Sequence, residues 1–280
     1  MLESGTLYVC ATPIGNMEDI TLRVLRTLKQ ADIIAAEDTR HSRRLLDHYE
    51  IHTPMISYHE HNEKKRSAEL VESLQAGKTV ALISDAGMPG ISDPGYEIIQ
   101  LCYKEGVKVD VLPGPNAGLT ALVLSGMPAD GFAFHGFLPA QSGKRRKKLE
   151  ELACMPFTQI FYEAPHRLTN TLTDMVAVLG NRDAAVVREI SKIHQSVKRG
   201  KVQVLLKEYE AVPPKGECCI LVGPWEKEIR KGGPEEWIKA VNQEMSKGSS
   251  RQEALKSVAK EFDVSKREIY QVMHKDGGQG

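Results

Sequence analysis

Short apolar runs rich in β-forming residues alternate with longer stretches of helical periodicity over the first 125 residues. Strands are predicted at 5–11, 32–36, 55–58, 79–83 and 107–112. The segments between them repeat apolar residues every three or four positions, which is typical of helices packed on one side. Strands that alternate with helices predict a mainly parallel sheet covered on both faces. Residues 1–126 are therefore predicted to form an N-terminal α/β domain.

The pattern changes after a Gly/Pro-rich segment at residues 126–131. Strands are predicted at 132–138, 157–162, 184–188, 195–198, 202–205 and 218–222, with a helix at 168–179. Fewer helices separate these strands, so residues 127–231 are predicted to form a second, α+β domain with a mixed sheet. Residues 232–280 contain two capping boxes, Ser250-x-x-Glu253 and Ser265-x-x-Glu268, which predict a small helix-turn-helix-like region. The fold class is α/β.

One connection stands out, the stretch from Leu82 to Gly95 between a buried strand and the next helix. It holds three glycines, two prolines and two aspartates. A plain strand-to-helix connection needs only a few residues, and glycines allow a ligand to approach the backbone closely. Either Ser92 or Asp93 is predicted to cap the following helix. The stretch alone fits a long structural turn and a ligand loop about equally well.

Two further loops of this kind, at 12–16 and 113–118, also follow predicted strands. The carboxyl ends of parallel strands share one edge of a sheet, so the three loops are predicted to meet in one cleft. None of them has the G-x-G-x-x-G or Walker A spacing, which argues against a dinucleotide oxidoreductase or a P-loop NTPase.

Composition limits the choice of partners and compartment. The chain has 37 basic and 37 acidic residues, so any affinity for nucleic acid must come from local clusters. Five cysteines without a C-x-x-C pair fit a reducing cytoplasm and argue against a cysteine-rich zinc site. No apolar stretch approaches the length of a membrane helix, and no secretory leader is recognisable. The expected location is cytoplasmic.

Several motifs carry a resemblance to a known family. They are Pro13-Ile-Gly-Asn16, Glu37-Asp-Thr-Arg40, Ser84-Asp-Ala-Gly-Met-Pro89 with Ser92-Asp-Pro-Gly95, and Pro113-Gly-Pro115. In this order they resemble the tetrapyrrole methylase superfamily. The later motifs Phe134–Pro139, Tyr162-Glu-Ala-Pro-His-Arg167, Arg188–Lys192 and Lys215-Gly-Glu217 resemble its branch of ribosomal RNA small subunit methyltransferases I. One departure is His194-Gln195, where that branch leads us to expect His-Glu.

The resemblance implies a methyltransferase that uses S-adenosylmethionine (SAM) and no metal. It implies 2′-O-methylation of a cytidine ribose in 16S rRNA at the decoding centre of the small ribosomal subunit, by a homodimer with SAM between two α/β domains. The candidate SAM-binding residues lie in the three loops and in the later motifs. They are Pro13, Gly15, Asp85, Ala86, Gly87, Ile91, Pro115, Ala117, Tyr162, Glu217 and Cys218.

A ribose hydroxyl is a poor acid, so a positioned base would help to remove its proton. The candidates are Asp38 first and Glu163 second. Each has a purely structural alternative: Asp38 could cap the next helix, and Glu163 could pair with Arg167 or His166.

Contacts to RNA phosphates come from Lys and Arg, and local clusters supply them. The candidates are Arg40, Arg43 and Arg44, and above all the run Lys144, Arg145, Arg146, Lys147 and Lys148. Such runs are more often solvated helix faces. The region from Gly232 onwards has eight basic and eight acidic residues, which makes a DNA-recognition helix the weaker interpretation there.

Two other functions stay open at this point. A methylase of a small tetrapyrrole-like substrate would need no phosphate contacts. A non-catalytic RNA-binding factor for ribosome assembly would need no ligand loops. The nine histidines show no metal-binding spacing.

Overall fold

A computed structural model of the chain describes residues 2–225 and 231–276. The chain divides into two compact units, Met1–Trp225 and Glu226–Gly280. The first unit contains two five-stranded sheets and the second a group of helices. The predicted boundaries at residues 126/127 and 231/232 stay predictions.

The first sheet is parallel throughout, as the alternation of elements predicts. Its strands are β1 (Thr6–Cys10), β2 (Ile33–Ala36), β3 (Met55–Ser57), β4 (Val80–Ile83) and β5 (Lys108–Leu112), in the order β3-β2-β4-β1-β5. The helices between them are α1 (Leu22–Gln30), α2 (Thr39–His48), α3 (Glu63–Gln75) and α4 (Tyr96–Lys104). Buried apolar residues cover both faces of the sheet. All carboxyl ends of the strands consequently lie at one edge.

The second sheet is mixed, as predicted. It contains β6 (Phe132–Phe137), β7 (Thr158–Glu163), β8 (Asp183–Arg188), β9 (Ser196–Lys201) and β10 (Cys218–Val222), in the order β6-β7-β10-β8-β9. Only the β6–β7 pair is parallel. One face packs against α6 (Ser142–Leu152), α7 (Leu168–Leu179) and α8 (Val202–Ala211). The other face packs against α5 (Ala117–Ser125), which directly follows the first sheet in the chain.

The strand predicted at 202–205 is wrong, because these residues form the first turn of α8. Val202, Leu205 and Tyr209 are the buried positions of this helix, a spacing of three and four residues. The apolar run Val-Gln-Val-Leu-Leu satisfies a strand pattern only within a five-residue window.

The second unit contains α9 (Pro234–Ser246), α10 (Arg251–Phe262) and α11 (Lys266–Asp276), packed around a small apolar core. Both predicted capping boxes form. Ser250 N–H donates to Glu253 (3.0 Å) and Ser265 N–H donates to Glu268 (2.8 Å), each with the reciprocal bond. Asp263, at a φ of 50°, ends α10 and turns the chain towards α11. Among the described residues, no helix combines the length and apolar character required to cross a membrane.

Candidate active site

A cleft of about 320 Å³ lies where the loops of the first sheet face the second sheet. Ile14, the segment 86–93 and the residues at the start of α5 line one side of it. The other side is formed by the carboxyl-terminal ends of β6 and β7, by the loop after β8 and by the residues around the start of β10, among them Phe137, Tyr162, Ile190 and Glu217. All three predicted loops thus reach the same cavity. Its walls are mainly apolar with a few polar groups, which is typical of small-molecule sites.

The loop after β4 is held in place by the loop after β1. Thr12 N–H donates to Gly87 O (2.9 Å), Gly87 N–H donates to Thr12 O (3.0 Å), and the Thr12 hydroxyl donates to Ser84 O (3.0 Å). Gly87 has a φ of 80°, a conformation that side-chain-bearing residues rarely adopt. These bonds explain why a loop so rich in glycine and proline has one shape.

The helix cap predicted at Ser92 or Asp93 is wrong, because the cap of α4 is Gly95. Gly95 has a φ of 146°, and a Cβ there would lie 3.0 Å from Gly90 N. Ser92 and Asp93 are therefore released from capping and line the cleft.

Tyr162 connects the second sheet to the start of α5. Its hydroxyl accepts the Gly118 N–H (3.0 Å), one of the N–H groups that a helix cannot satisfy internally. Burial raises the pKa of Tyr162 to about 12, so the phenol stays protonated at neutral pH. Its role in the cleft is that of a packing and hydrogen-bonding group.

Carboxylates gather at the side of the cleft formed by the first sheet. Glu37 Oε2 accepts the Asp85 N–H (3.3 Å), and Asp85 Oδ1 accepts the Asp38 N–H (3.1 Å). Burial, with the charge of Asp85 as a smaller cause, raises the pKa of Asp93; burial also raises the pKa of Glu37. Of these four acids only Asp93 is among the residues that line the cleft. The arrangement favours a ligand that brings a positive charge.

The loop after β8 approaches the loop after β1 closely, since a Cβ at Gly15 would lie 2.8 Å from Ile190 O. Ile190 lines the cleft, and its neighbours Glu189 and Ser191 have φ angles of 50° and 65°. Lys192 Nζ lies 3.0 Å from carboxylate oxygens of both Glu189 and Glu217. Non-glycine residues in this conformation are uncommon and often occur at functional sites.

Asp38 lies outside the cleft and caps α2. Its carboxylate accepts the Arg40 N–H (2.8 Å) and pairs with the Arg40 guanidinium (3.1 Å). These hydrogen bonds, from the side chain first and then from the backbone, lower the pKa of Asp38 to about 2. Such a carboxylate is a weak base. The geometry corresponds to the structural alternative for this residue.

Glu163 lines the cleft, and its side chain is fully buried. Its Oε1 accepts the Ala164 N–H (2.8 Å), and its Oε2 accepts the Thr171 hydroxyl (2.6 Å). Arg167 Nε lies 3.1 Å from Oε1, an ion pair whose angle lies outside hydrogen-bond geometry. Glu163 therefore combines access to the cleft with a fixed orientation, although its pairing with Arg167 also matches the structural alternative.

The basic run Lys144–Lys148 lies in α6, and its members have different environments. Lys144, Arg146, Lys147 and Lys148 are exposed, whereas Arg145 is buried (4 % exposed) and pairs with Asp174 at 2.6 Å. Arg145 is thus held inside the protein by Asp174, unlike its exposed neighbours in the run. Arg40, Arg43 and Arg44 are exposed on α2.

Comparison with known proteins identifies the family of this chain. The model of the tetrapyrrole (corrin/porphyrin) methylases matches residues 6–205. The chain belongs to the tetrapyrrole methylase family. Within it, the chain is 46 % identical to a ribosomal RNA small subunit methyltransferase I of Halalkalibacterium halodurans, over 98 % of this chain and 96 % of the relative. It is 44 % identical to that of Synechocystis sp., over 96 % and 97 %. These relatives put it in the branch that its later motifs resemble.

A solved structure shares the tetrapyrrole methylase fold. The uroporphyrin-III C-methyltransferase from Thermus thermophilus, complexed with S-adenosyl homocysteine, has a TM-score of 0.56 and 20 % identity. The match covers 78 % of this chain and 97 % of that one. At this identity the likeness shows the fold alone.

Seven of the eleven predicted SAM-binding residues line the cleft of this tetrapyrrole methylase. They are Ala86, Gly87, Ile91, Ala117, Tyr162, Glu217 and Cys218. The other four lie in the same loops but are not among the residues that line the cleft: Pro13, Gly15, Asp85 and Pro115. The predicted residues leave out Asp93, Asn116 and Ile190, which also line the cleft and belong to the quoted motifs or directly adjoin them. Treating every residue of each motif as a candidate would have included most of them.

Within residues 2–225 and 231–276, no group of three or more His, Cys, Asp or Glu is placed to hold a metal ion.

Proposed function

We propose that the chain is a SAM-dependent methyltransferase that methylates the ribosomal RNA of the small subunit. The observation that carries the proposal is the identity of 46 % over nearly the whole chain to a relative named for that activity. The finer part of the proposal is the target, the ribose 2′-hydroxyl of a cytidine in 16S rRNA at the decoding centre.

The cleft suits the donor. SAM combines a flat base, a ribose with two hydroxyls, an amino acid group and a sulfonium that supplies the methyl group. Apolar side chains at Ile14, Met88 and Ile91 offer packing for the base. Asn116 and Asp93 offer acceptors for hydroxyl or ammonium groups. The negative charges of Asp93 and its neighbour Asp85 favour a cation.

Glu163 is the proton acceptor in this proposal, in preference to Asp38. It lines the cleft, and three neighbouring groups fix its carboxylate, whereas Asp38 caps a helix outside the wall. A fixed acceptor lowers the barrier by orienting the hydroxyl for in-line displacement. We expect Glu163→Gln to reduce kcat by about 10²–10⁴-fold with SAM affinity retained. Asp38→Asn is the matched control, and it should keep most of the activity.

The exposed cations of α6 supply phosphate contacts. Lys144 and Lys147 carry no ion pair in the described part of the chain, and Lys148 pairs only with Glu151 (3.1 Å). We expect Lys144→Gln with Lys147→Gln to weaken rRNA binding and to flatten its dependence on salt, with SAM affinity unchanged. An unchanged salt slope would remove these two lysines from the RNA interface.

The direct test uses labelled SAM and 30S subunits from cells that lack this protein. A 2′-O-methyl group removes the nucleophile for alkaline strand cleavage, so the target should survive as one labelled, alkali-resistant dinucleotide that contains cytidine. Label released as a mononucleotide would move the target to a base. No label in RNA from protein that binds SAM would refute the proposed substrate and favour a small tetrapyrrole-like acceptor.

A cytoplasmic location and a homodimer complete the proposal. The location is supported by the five cysteines without a C-x-x-C pair, a pattern that fits a reducing compartment. Sedimentation equilibrium of the full chain tests the dimer, since a single species at the mass of one chain would contradict it.

A further inference from the structure

A second cavity, of about 400 Å³, lies between α6 and α7 on the helical side of the second sheet. Three arginines line it, Arg145 and Arg146 from α6 and Arg167 from the turn before α7. We propose that this cavity binds one phosphodiester of the RNA strand whose ribose enters the active-site cleft. The inference rests on the proposed function and deepens it, because it assigns one phosphate to a defined cavity that Arg167 completes from outside the basic run.

Charge favours an anion in this cavity. Asp174 is the carboxylate in the wall, and its side chain is 3 % exposed. It pairs with Arg145 and with Arg146, both at 2.6 Å. Arg167 pairs with Glu163, which faces the other cavity. Three guanidinium groups against two carboxylates leave one positive charge unbalanced.

The arginines are also held in fixed orientations. Arg145 Nη1 donates to Ala140 O (3.0 Å), and Arg167 Nη2 donates to Leu138 O (2.6 Å). Arg146 uses Nε for Asp174 (2.6 Å). In the part of the chain that the structure describes, the terminal nitrogens of Arg146 have no protein partner, and its side chain is 50 % exposed. A guanidinium anchored through Nε keeps its other donors for a bidentate phosphate contact.

The neighbouring wall adds polar groups that do not repel an anion. Asn170 and Thr173 line the cavity from α7. Thr173 is exposed, and its hydroxyl donates to Thr169 O (2.9 Å), which leaves the hydroxyl oxygen free to face solvent. The side chain at this position can therefore be changed without disturbing the core.

The cavity and the active-site cleft share one edge. Phe137 lines the cleft and Ser142 lines the cavity. Arg145 and Arg167 hold the carbonyl groups of the segment between them. The Glu163–Arg167 pair joins the two sites as well, with one partner in each wall. A strand that places a ribose at Glu163 brings its adjoining phosphates towards Arg167 and Arg146.

The test uses a matched pair of full-length variants, Thr173→Glu and Thr173→Gln, which differ in charge but hardly in size. Affinity for 30S subunits lacking the modification is measured over a range of salt concentrations. We expect Thr173→Gln to stay within about twofold of wild type and Thr173→Glu to bind at least about tenfold more weakly, because the new carboxylate repels the phosphate. SAM affinity should be unchanged in both variants.

Arg146→Gln provides the second measurement. It should weaken binding by about tenfold and lower the salt slope by about 0.7, the value for one single-strand phosphate contact. Lys207→Gln removes one exposed charge from α8, away from the cavity, and should change neither quantity. Equal affinities for the two Thr173 variants, or an unchanged slope for Arg146→Gln, would overturn the phosphate site. If the variants give these contrary results while the wild type methylates 30S subunits normally, only the phosphate site is refuted. A wild type that neither binds nor methylates 30S subunits would refute both proposals.

Discussion

Asp174 is held by donors from three side chains on α6. Arg145 donates to its Oδ2 through Nε (2.8 Å), Arg146 donates to Oδ1 (2.6 Å), and the Ser142 hydroxyl lies 2.9 Å from Oδ2. Asp174 and Arg145 are 2 % and 4 % exposed. Asp174→Asn keeps the shape but removes the charge, and its amide NH₂ must face a donor.

The size of the effect follows from this burial. Removal of one partner from a buried ion pair costs about 3–5 kcal/mol, since the other charge stays buried and unpaired. For a unit of this size, each kcal/mol lowers the unfolding midpoint by about 2–4 °C. We therefore expect Asp174→Asn to unfold about 10 °C below wild type. Arg145→Met with Asp174→Leu, which removes both charges, should recover much of the loss.

The assay is thermal unfolding followed by circular dichroism, repeated across pH. Burial pushes the pKa of Asp174 upwards, but the hydrogen bonds from Arg146, Ser142 and Arg145 outweigh it and the pKa is lowered. The stabilisation is thus present above the carboxyl pKa of the unfolded chain and is lost as pH falls through the folded value. The deficit of Asp174→Asn should shrink in acid. A variant that unfolds within about 2 °C of wild type at pH 7 would refute the reasoning.

Three further predictions concern other parts of the chain. A Cβ at Gly15 would lie 2.5 Å from Lys192 Cγ and 2.8 Å from Ile190 O, so Gly15→Ala should weaken SAM binding in calorimetry, whereas Gly143→Ala, with open space around it, should not. Asp93→Asn should raise stability to urea at pH 7, because a raised pKa marks a charged form that folding disfavours; the gain should vanish below the unfolded carboxyl pKa, and a gain that persists there would contradict it. Ser250→Ala should cost about 1 kcal/mol and speed amide exchange in the first turn of α10, with Ser249→Ala as the neutral control.

Elements with strong local signals were predicted almost to the residue. The helix at 168–179 and the strand at 218–222 have the same bounds in the structure. The helix ends at Gly180 and the strand is apolar throughout, so both elements are determined by residues close to them in sequence. At 202–205 the local signal is ambiguous, and tertiary burial of Val202, Leu205 and Tyr209 decides for a helix.

The candidate site was predicted in part because the loops are distinctive while side-chain directions are not. The three loops meet as the parallel sheet requires. Arg145 was grouped with its exposed neighbours because a charge run does not show which face a helix buries. Its spacing from Leu149 and Leu152 does show it, since residues four and seven positions apart share a face. The partner Asp174, on another helix, could not be found from the sequence.

The place of β1 between β4 and β5 in the first sheet matters for how the chain is made. Thr6 pairs with Lys108 and Val9 with Leu82, so the first strand to leave the ribosome has both partners far downstream. Contacts of such long range slow folding, and an unpaired apolar strand invites association with other chains. The nascent chain must therefore shield β1 until about residue 112 has emerged. Fragments that end before β5 should aggregate. In the second sheet β10 lies between β7 and β8, so that sheet is completed only when β10, its last strand along the chain, has been synthesised.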